Sequence, residues 1–279
     1  MSETATQNGP TEGQSFPTRV AGTVGRVALN YLFAFTRVCV LIVETLYWAV
    51  ASPLRGQGLR FRATVALFVQ YGVNSIPIVA LICFLIGAIM AMQASYQLEK
   101  FGATQYIANL VGVAALRELA PLMTAIILTG RSGSAITAEI GTMRVNEEID
   151  ALQVMGLNPI RFLVVPKFMA MVLALPCVTL LAMLIMILGG LFLSVTTLHI
   201  HPMSYVEQTI GAMEVKDFLT GLVKSLFFGV VIALVGVYRG FEVEGGAEGV
   251  GLKTTSSVVT SIFFIIIVDM IFTVLFFFA

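Results

Sequence analysis

The stretch FMAMVLALPCVTLLAMLIMILGGLFLSVTTL, residues Phe168–Leu198, contains no charged side chain. A helix needs about 20 apolar residues to cross about 30 Å of hydrocarbon, so this run is long enough to span a bilayer. A second uncharged run, Ala63–Leu98, predicts another span near Tyr71–Gln93. Of the 279 residues, 58% are hydrophobic and only 11% are charged, against about 25% charged in soluble domains. The composition therefore predicts a membrane protein and argues against a water-soluble enzyme.

The next candidate span is interrupted by charges whose spacing places them inside the membrane. The uncharged runs before Arg117 and after Glu118 are 16 and 12 residues long, and neither is long enough to cross alone. We therefore expect one helix from about Gly102 to Gly130 that holds both charges near mid-membrane. Pro121 lacks the N–H that would bond the carbonyl of Arg117, which predicts a weakened or kinked helix at that turn.

The last two candidate spans also carry intramembrane charges. Only 14 residues separate Lys224 from Arg239, so the fourth span has to begin near Phe218. This places Lys224 about 9 Å inside the membrane, at 1.5 Å of rise per residue. After Lys253 the chain is apolar apart from Asp269. The sequence thus predicts five crossings.

The region before the five spans divides into a tail and an amphipathic helix. Residues 1–18 are polar and have no apolar signal-peptide core, which predicts a disordered tail. Residues 19–62 are predicted to form an interfacial amphipathic helix and a linker, with a bundled sixth span as the alternative. On a helical wheel one narrow polar stripe contains Arg26, Asn30, Arg37 and Glu44. The predicted fold is all-α, with this helix followed by a five-span domain over residues 63–279.

Basic residues predict the orientation of the chain. With the N-terminus in the cytoplasm, 12 Lys and Arg residues fall in cytoplasmic segments and only Lys100 and Lys216 lie on the outer side. The positive-inside rule favours this topology, which puts the C-terminus outside. The 16 Lys and Arg balance the 16 Asp and Glu, and without a basic patch we expect no nucleic-acid binding.

The longest predicted cytoplasmic connection contains RVNEEIDALQVMGLNP, residues Arg144–Pro159. Asn146 is a candidate N-cap, acidic residues occupy the first turn, and Gly156 is a candidate C-cap. These signals predict a short capped helix at about 144–157. It is either a docking element or an ordinary surface helix. Its apolar face is predicted to contain Ile149, Leu152, Val154 and Met155.

The central block LRELAPLMTAIILTGRSGSAITAEIGTMRVNEEIDALQVMGLNP, Leu116–Pro159, closely resembles the MlaE or YrbE permease family of MCE-type ABC lipid transporters. Further similarity lies in LVKSLFFGVV, Leu222–Val231, and in VDMIFTVLFF near the C-terminus. The resemblance covers essentially everything after about Arg60, whereas the N-terminal tail is outside it.

The resemblance implies the membrane subunit of a lipid transporter, with phospholipid as the expected substrate class. It implies a homodimer in the bacterial inner membrane that serves outer-membrane lipid asymmetry. The implied partners are a cytoplasmic ABC ATPase, a periplasmic MCE-domain protein and, in some systems, a STAS-domain subunit. The chain itself is expected to be non-catalytic and to hold no cofactor or metal, because ATP would be bound by the partner ATPase.

The intramembrane charges are the strongest candidates for substrate contact. Arg117 and Glu118 point about 100° apart on a helix, so each needs another partner. They either line a cavity that receives a lipid headgroup, with Lys224 as companion, or form salt bridges that fix packing. Gln93 and Tyr96 are further candidates at the outer mouth of the first span. Asp269 is predicted to neutralise Lys224 or Arg117, and Pro121 has a structural role.

The predicted cytoplasmic helix is the candidate ATPase contact. Its coupling role is an expectation that the resemblance strengthens. The predicted coupling residues are Glu139, Arg144, Glu147, Glu148, Asp150, Leu152, Met155 and Gly156. Two other functions remain open from the sequence: a proton-coupled secondary transporter using Glu118 or Asp269, and a non-transporting membrane scaffold.

Overall fold

The computed structural model describes residue 36, residues 39–49 and residues 60–278. Within these residues all regular structure is helical, and five helical stretches are long and apolar enough to cross a membrane. The predicted all-α architecture with five spans is therefore confirmed. In chain order, the first to fifth spans are Phe61–Glu99, Thr104–Val145, Ile160–Thr196, Val215–Phe241 and Gly246–Phe276.

A shorter apolar helix, α1 (Cys39–Ala49), precedes the spans. The chain divides into two units between Val43 and Glu44, and all five spans belong to the second unit. The predicted tail, residues 1–18, and most of the predicted interfacial helix lie outside the described residues. An interfacial location for this region stays a prediction.

The first and second spans are built from several helical segments. The first span consists of α2 (Phe61–Tyr71), a 3-10 turn (Val73–Ser75) and α3 (Ile76–Glu99). Pro77 lies in the first turn of α3, where a missing N–H costs nothing. The second span consists of α4 (Ile107–Ala114), a π-helical turn (Ala115–Leu119), α5 (Ala120–Leu128), a second π-helical turn (Thr129–Gly133) and α6 (Ser134–Val145).

The remaining helices complete the chain with two short connecting helices. The third span begins with a π-helical turn (Ile160–Val164) and continues as α8, which keeps Pro176 in its interior. The short helix α9 lies between the third and fourth spans and was not predicted. The remaining bounds are α7 (Glu148–Val154), α8 (Val165–Thr196), α9 (Pro202–Ala212), α10 (Val215–Phe241) and α11 (Gly246–Phe278).

Glycines allow the first and third spans to cross at backbone contact. A Cβ added at Gly87 would lie 1.9 Å from the carbonyl oxygen of Met186, and one at Gly189 would lie 2.0 Å from that of Phe84. No real side chain fits at such distances, so only glycine permits this crossing. The two spans therefore form a closely packed pair.

The turn between the fourth and fifth spans is held by ionic contacts around Glu242. Its Oε2 accepts hydrogen bonds from Arg239 Nη1 at 2.9 Å and from Lys253 Nζ at 3.3 Å. Burial alone would raise the pKa of Glu242, but hydrogen bonds from Tyr238, Lys253 and Arg239 lower this pKa overall. A second contact, from Arg239 Nη2 to Thr260 Oγ1 at 3.2 Å, ties the end of α10 to α11.

Candidate functional site

Lys224 lies at the centre of a polar cluster inside the bundle. Its side chain is fully buried, and its Nζ donates to Glu118 Oε2 at 2.5 Å, to Asp269 Oδ1 at 2.9 Å and to Thr273 Oγ1 at 2.7 Å. The three partners come from the second and fifth spans, so Lys224 links both of these to the fourth. Of the two partners predicted for Asp269, Lys224 and Arg117, the structure shows Lys224.

Close helix approach explains why these charges meet. A Cβ added at Gly221 would lie 2.1 Å from the carbonyl oxygen of Leu116. The fourth span therefore touches the backbone of the second span immediately before Arg117. Lys224 follows Gly221 by three residues, so it lies on the same face of α10 about one turn later and reaches Glu118.

Arg117 pairs with a residue that the sequence analysis did not select. Its Nε donates to Asp217 Oδ1, while the other carboxylate oxygen of Asp217 accepts from the backbone N–H of Glu214 at 3.1 Å. Asp217 is buried and belongs to a capping box at the start of α10. The prediction that Arg117 and Glu118 need separate partners is confirmed, because Glu118 pairs with Lys224.

The backbone at this pair departs from regular α-helix. Arg117 and Glu118 lie within the π-helical turn Ala115–Leu119, directly before Pro121. Since proline cannot donate to the carbonyl four residues earlier, the wider π turn accommodates the missing bond. The structure shows the irregularity at this turn as π-helical geometry, and a weakened or kinked helix there stays a prediction.

The paired charges border a small pocket of about 70 Å³. Arg117 and Glu118 line it, whereas Lys224 is buried behind it. Direct contact between Lys224 and a substrate therefore stays a prediction, and the structure shows Lys224 holding Glu118 and Asp269. The complete lining is Arg117, Glu118, Lys216, Thr220, Thr273 and Phe276.

Gln93 and Tyr96 lie elsewhere, near the end of α3. Both side chains are exposed, and neither lines the pocket. The ammonium group of Lys100 lies 4.3 Å from the centre of the Tyr96 ring, a cation–π contact. Lipid contact by these two residues stays a prediction.

The predicted cytoplasmic helix exists but is shorter than expected. Helix α7 covers Glu148–Val154, and its N-cap is Glu147 rather than Asn146. Glu147 has a φ of 59°, a left-handed conformation that is strained for a residue other than glycine. Gly156 adopts a φ of 75° just after the helix, as expected of a C-terminal glycine.

The apolar face of α7 is shared between the bundle and the surface. Ile149 and Leu152 are buried, so they anchor the helix within this chain and offer no exposed docking surface. Val154 and Met155 are exposed. Arg144 Nη1 donates to Asp150 Oδ1 at 2.7 Å across the turn before the helix. A contact with an ATPase stays a prediction for the exposed residues.

Glu139, another predicted coupling residue, forms an ion pair within the chain. Its Oε2 lies 2.5 Å from Nζ of Lys167, which is buried at the start of α8. Glu139 therefore connects the end of the second span to the beginning of the third.

Five further residues belong to the site and were not selected from the sequence: Lys216, Asp217, Thr220, Thr273 and Phe276. Lys216 and Asp217 stand at the predicted outer edge of the fourth span, where charged residues are ordinary. Thr273 Oγ1 accepts from Lys224, and two acceptors lie within reach of its single hydroxyl hydrogen: the carbonyl oxygen of Asp269 at 2.8 Å and Glu118 Oε1 at 3.1 Å. Its spacing of four residues from Asp269 placed it on the same helix face and was the available signal.

Charged side chains join three of the five apolar spans beside a pocket. This is the organisation of a membrane permease, since a plain membrane anchor has no need of intramembrane charges. The chain belongs to the MlaE family of ABC transporter permeases, whose family match covers residues 64–275. A probable ABC transporter permease of Rickettsia prowazekii is 33% identical over 267 residues, covering 93% of this chain and 98% of that protein. A probable ABC transporter permease of Synechocystis is 38% identical over 206 residues, 74% of this chain and 78% of its own length.

Proposed function

We propose that the protein is the membrane subunit of an ATP-driven lipid transporter and that phospholipid is its substrate class. The observation that carries this proposal is the pocket beside the charged cluster. Arg117 and Glu118 offer polar contacts for a headgroup, and Phe276 offers an apolar contact for the adjoining chain. A lipid requires both kinds of surface next to each other.

Homodimerisation would complete the binding site. The pocket of about 70 Å³ has room for only a few water molecules, far less than a two-chain lipid. In the most apolar 18-residue stretch of the fifth span 11% of the residues are buried, against 28–50% in the corresponding stretches of the other four spans. We propose that a second copy packs along the fifth span and encloses a larger lipid cavity between the two chains.

The coupling contact is proposed to involve α7. ATP would be hydrolysed on a separate ABC ATPase, so movement has to reach the spans through a rigid contact. Exposed Met155 and the acidic residues at the start of α7 form a surface for such a contact. Buried Ile149 and Leu152 attach this surface to the bundle.

The resemblance supports the rest of the assembly and its location. We propose a bacterial inner-membrane location with the N-terminus in the cytoplasm and the C-terminus in the periplasm. The proposed partners are a periplasmic MCE-domain protein and a STAS-domain subunit, in a system that maintains outer-membrane lipid asymmetry. The chain itself would remain non-catalytic.

Purification in a mild detergent tests this function directly. We expect the protein to co-purify with an ABC ATPase and with phospholipid, and native mass measurement should give two copies of this chain. Joint absence of ATPase and lipid would contradict the transporter proposal. A single copy in an active complex would contradict the dimer alone.

Charge reversal tests the coupling surface. Replacing Glu147, Glu148 and Asp150 by lysine should release the ATPase or abolish lipid-stimulated ATP hydrolysis while membrane insertion persists. Because Asp150 also pairs with Arg144, the double variant of the two glutamates separates coupling from helix stability. Glu207→Lys, an exposed change on α9, is the matched control. Normal ATPase association and turnover in the reversed variants would place the coupling contact elsewhere.

A further inference from the structure

Two cations at the pocket retain capacity to bind an anion. The Nε of Arg117 is used by Asp217, but neither terminal guanidinium nitrogen has a hydrogen-bond or ion-pair partner among the described residues. Lys216 is exposed and lines the same pocket, and its ammonium group has no such partner among residues 60–278 or the described part of the N-terminal region. The third cation of the site, Lys224, is already used by two carboxylates.

Asp217 determines which edge of the guanidinium is free. It is buried, and its carboxylate is fixed by the backbone N–H of Glu214 as well as by Arg117. Because Asp217 takes only the Nε, the two terminal nitrogens remain available. Two parallel N–H donors match two oxygens of a phosphate.

Resting on the lipid-transport function proposed above, we propose that Lys216 and Arg117 together bind the phosphate of a lipid headgroup, and that Asp217 is a positioning residue for Arg117. Three cations, Lys216, Arg117 and Lys224, balance the three carboxylates of the site, and only the ammonium group of Lys216 has no carboxylate partner among the described residues. The other ionic groups beside the pocket pair as Arg117 with Asp217 and as Lys224 with two carboxylates. Lys216 therefore favours headgroups with a phosphate over uncharged headgroups.

The surroundings favour a lipid phosphate over free inorganic phosphate. Phe276 lines the pocket next to the two hydroxyl-bearing residues Thr220 and Thr273. One turn earlier on the same face of α11, the ring of Phe272 stacks on that of Phe276 with 5.8 Å between the ring centres, so apolar surface continues from the pocket. An acyl chain attached to the bound phosphate has an apolar surface to follow, which a free ion does not need.

A pair of probes with the same tail separates headgroup recognition from lipid binding. Binding of a fluorescent-tailed phosphatidylglycerol and of the matching diacylglycerol is measured on the purified full-length protein in detergent micelles. The wild type should prefer the phosphorylated probe. Lys216→Gln should reduce this preference about tenfold, because a hydrogen bond to a charged group is lost. Lys216→Arg should restore most of it.

The same ratio tests the positioning role of Asp217. Asp217→Asn should lower the preference about tenfold and leave diacylglycerol binding within about threefold of wild type, whereas a merely structural defect would weaken both probes equally. Lys100 is an exposed lysine at the same predicted end of the bundle. The control variant Lys100→Gln should leave the binding ratio of the two probes unchanged.

The possible failures are distinguishable. If the wild type binds neither probe, lipid binding and the proposed function are contradicted. If it binds both probes and the preference survives in Lys216→Gln and Asp217→Asn, only the present inference is overturned. Displacement of the labelled lipid by excess inorganic phosphate, with no preference between the two probes, would also overturn it in favour of a free-ion site.

Discussion

Replacing Lys224 with methionine removes the one cation between two intramembrane carboxylates. In the wild type, Lys224 donates to Glu118, Asp269 and Thr273 from a fully buried position. Without it, two like charges face each other, and one has to take up a proton or move into water. The variant keeps a side chain of similar length, so lost charge rather than an empty volume dominates the result.

The loss of unfolding free energy in Lys224→Met depends on how exposed the two remaining carboxylates are. Removing one partner of a fully buried ion pair costs about 3–5 kcal/mol. Glu118 is 37% exposed and Asp269 is 18% exposed, so water screens them in part and the lower end of this range applies. At about 2–4 °C per kcal/mol for a chain of this size, the melting temperature should fall by about 6–12 °C.

The melting temperature is measured by heating the detergent-solubilised protein and quantifying the fraction that stays soluble by size-exclusion chromatography. Asp269→Asn leaves Lys224 paired with Glu118 and should cost only about 1 kcal/mol. The double variant of Lys224→Met and Asp269→Asn removes the repulsion and should be more stable than Lys224→Met alone. If the two single changes instead add in the double variant, the charge-pairing explanation is refuted.

Three further predictions concern other parts of the fold. Glu147→Gly should relieve the left-handed backbone strain by about 1 kcal/mol and slow amide exchange in α7; faster exchange would show that Glu147 makes a compensating contact. Gly87→Ala should cost about 2–3 kcal/mol, because its Cβ would meet the carbonyl of Met186 at 1.9 Å, and an unchanged melting temperature would mean that the crossing is looser. Because the pKa of Glu242 is lowered, its contribution to stability is present at neutral pH and is lost as pH falls through that lowered value; Glu242→Gln should therefore flatten the acid side of the stability profile, and an unaltered profile would contradict the pairing.

The spans could be predicted because they depend on one-dimensional properties of the chain. An uncharged run has to be long enough to cross the bilayer. Where the run between two successive charges is too short to cross, one of these charges has to lie inside the membrane. These two rules placed Arg117, Glu118 and Lys224 correctly within helices of the spans. The scarcity of intramembrane charges limited the partner of Asp269 to Lys224 or Arg117, and the structure shows Lys224.

The partner of Arg117 could not be predicted from the same rules. Asp217 lies near the beginning of α10, where an acidic residue is ordinary as a helix-capping group. Its contact with Arg117 depends on how far α10 slides along the second span, and the close approach at Gly221 sets that position. The N-terminal bound of α7 was not predicted for a local reason. Asn146 has good N-cap chemistry, but Glu147 adopts a left-handed conformation before the helix starts.

The fifth span shows why the charged cluster has a structural consequence as well as a proposed functional one. Its most apolar 18-residue stretch has the smallest share of buried residues among the five spans, so apolar packing within one chain stabilises that stretch less than those of the other spans. Polar contacts hold it at three levels: Asp269 and Thr273 reach Lys224, Thr260 accepts from Arg239, and Ser257 hydrogen-bonds with Thr137 at 2.8 Å. Since few residues are buried in the C-terminal half of the fifth span, loss of the Lys224 contacts should loosen that half before it affects the closely packed first and third spans.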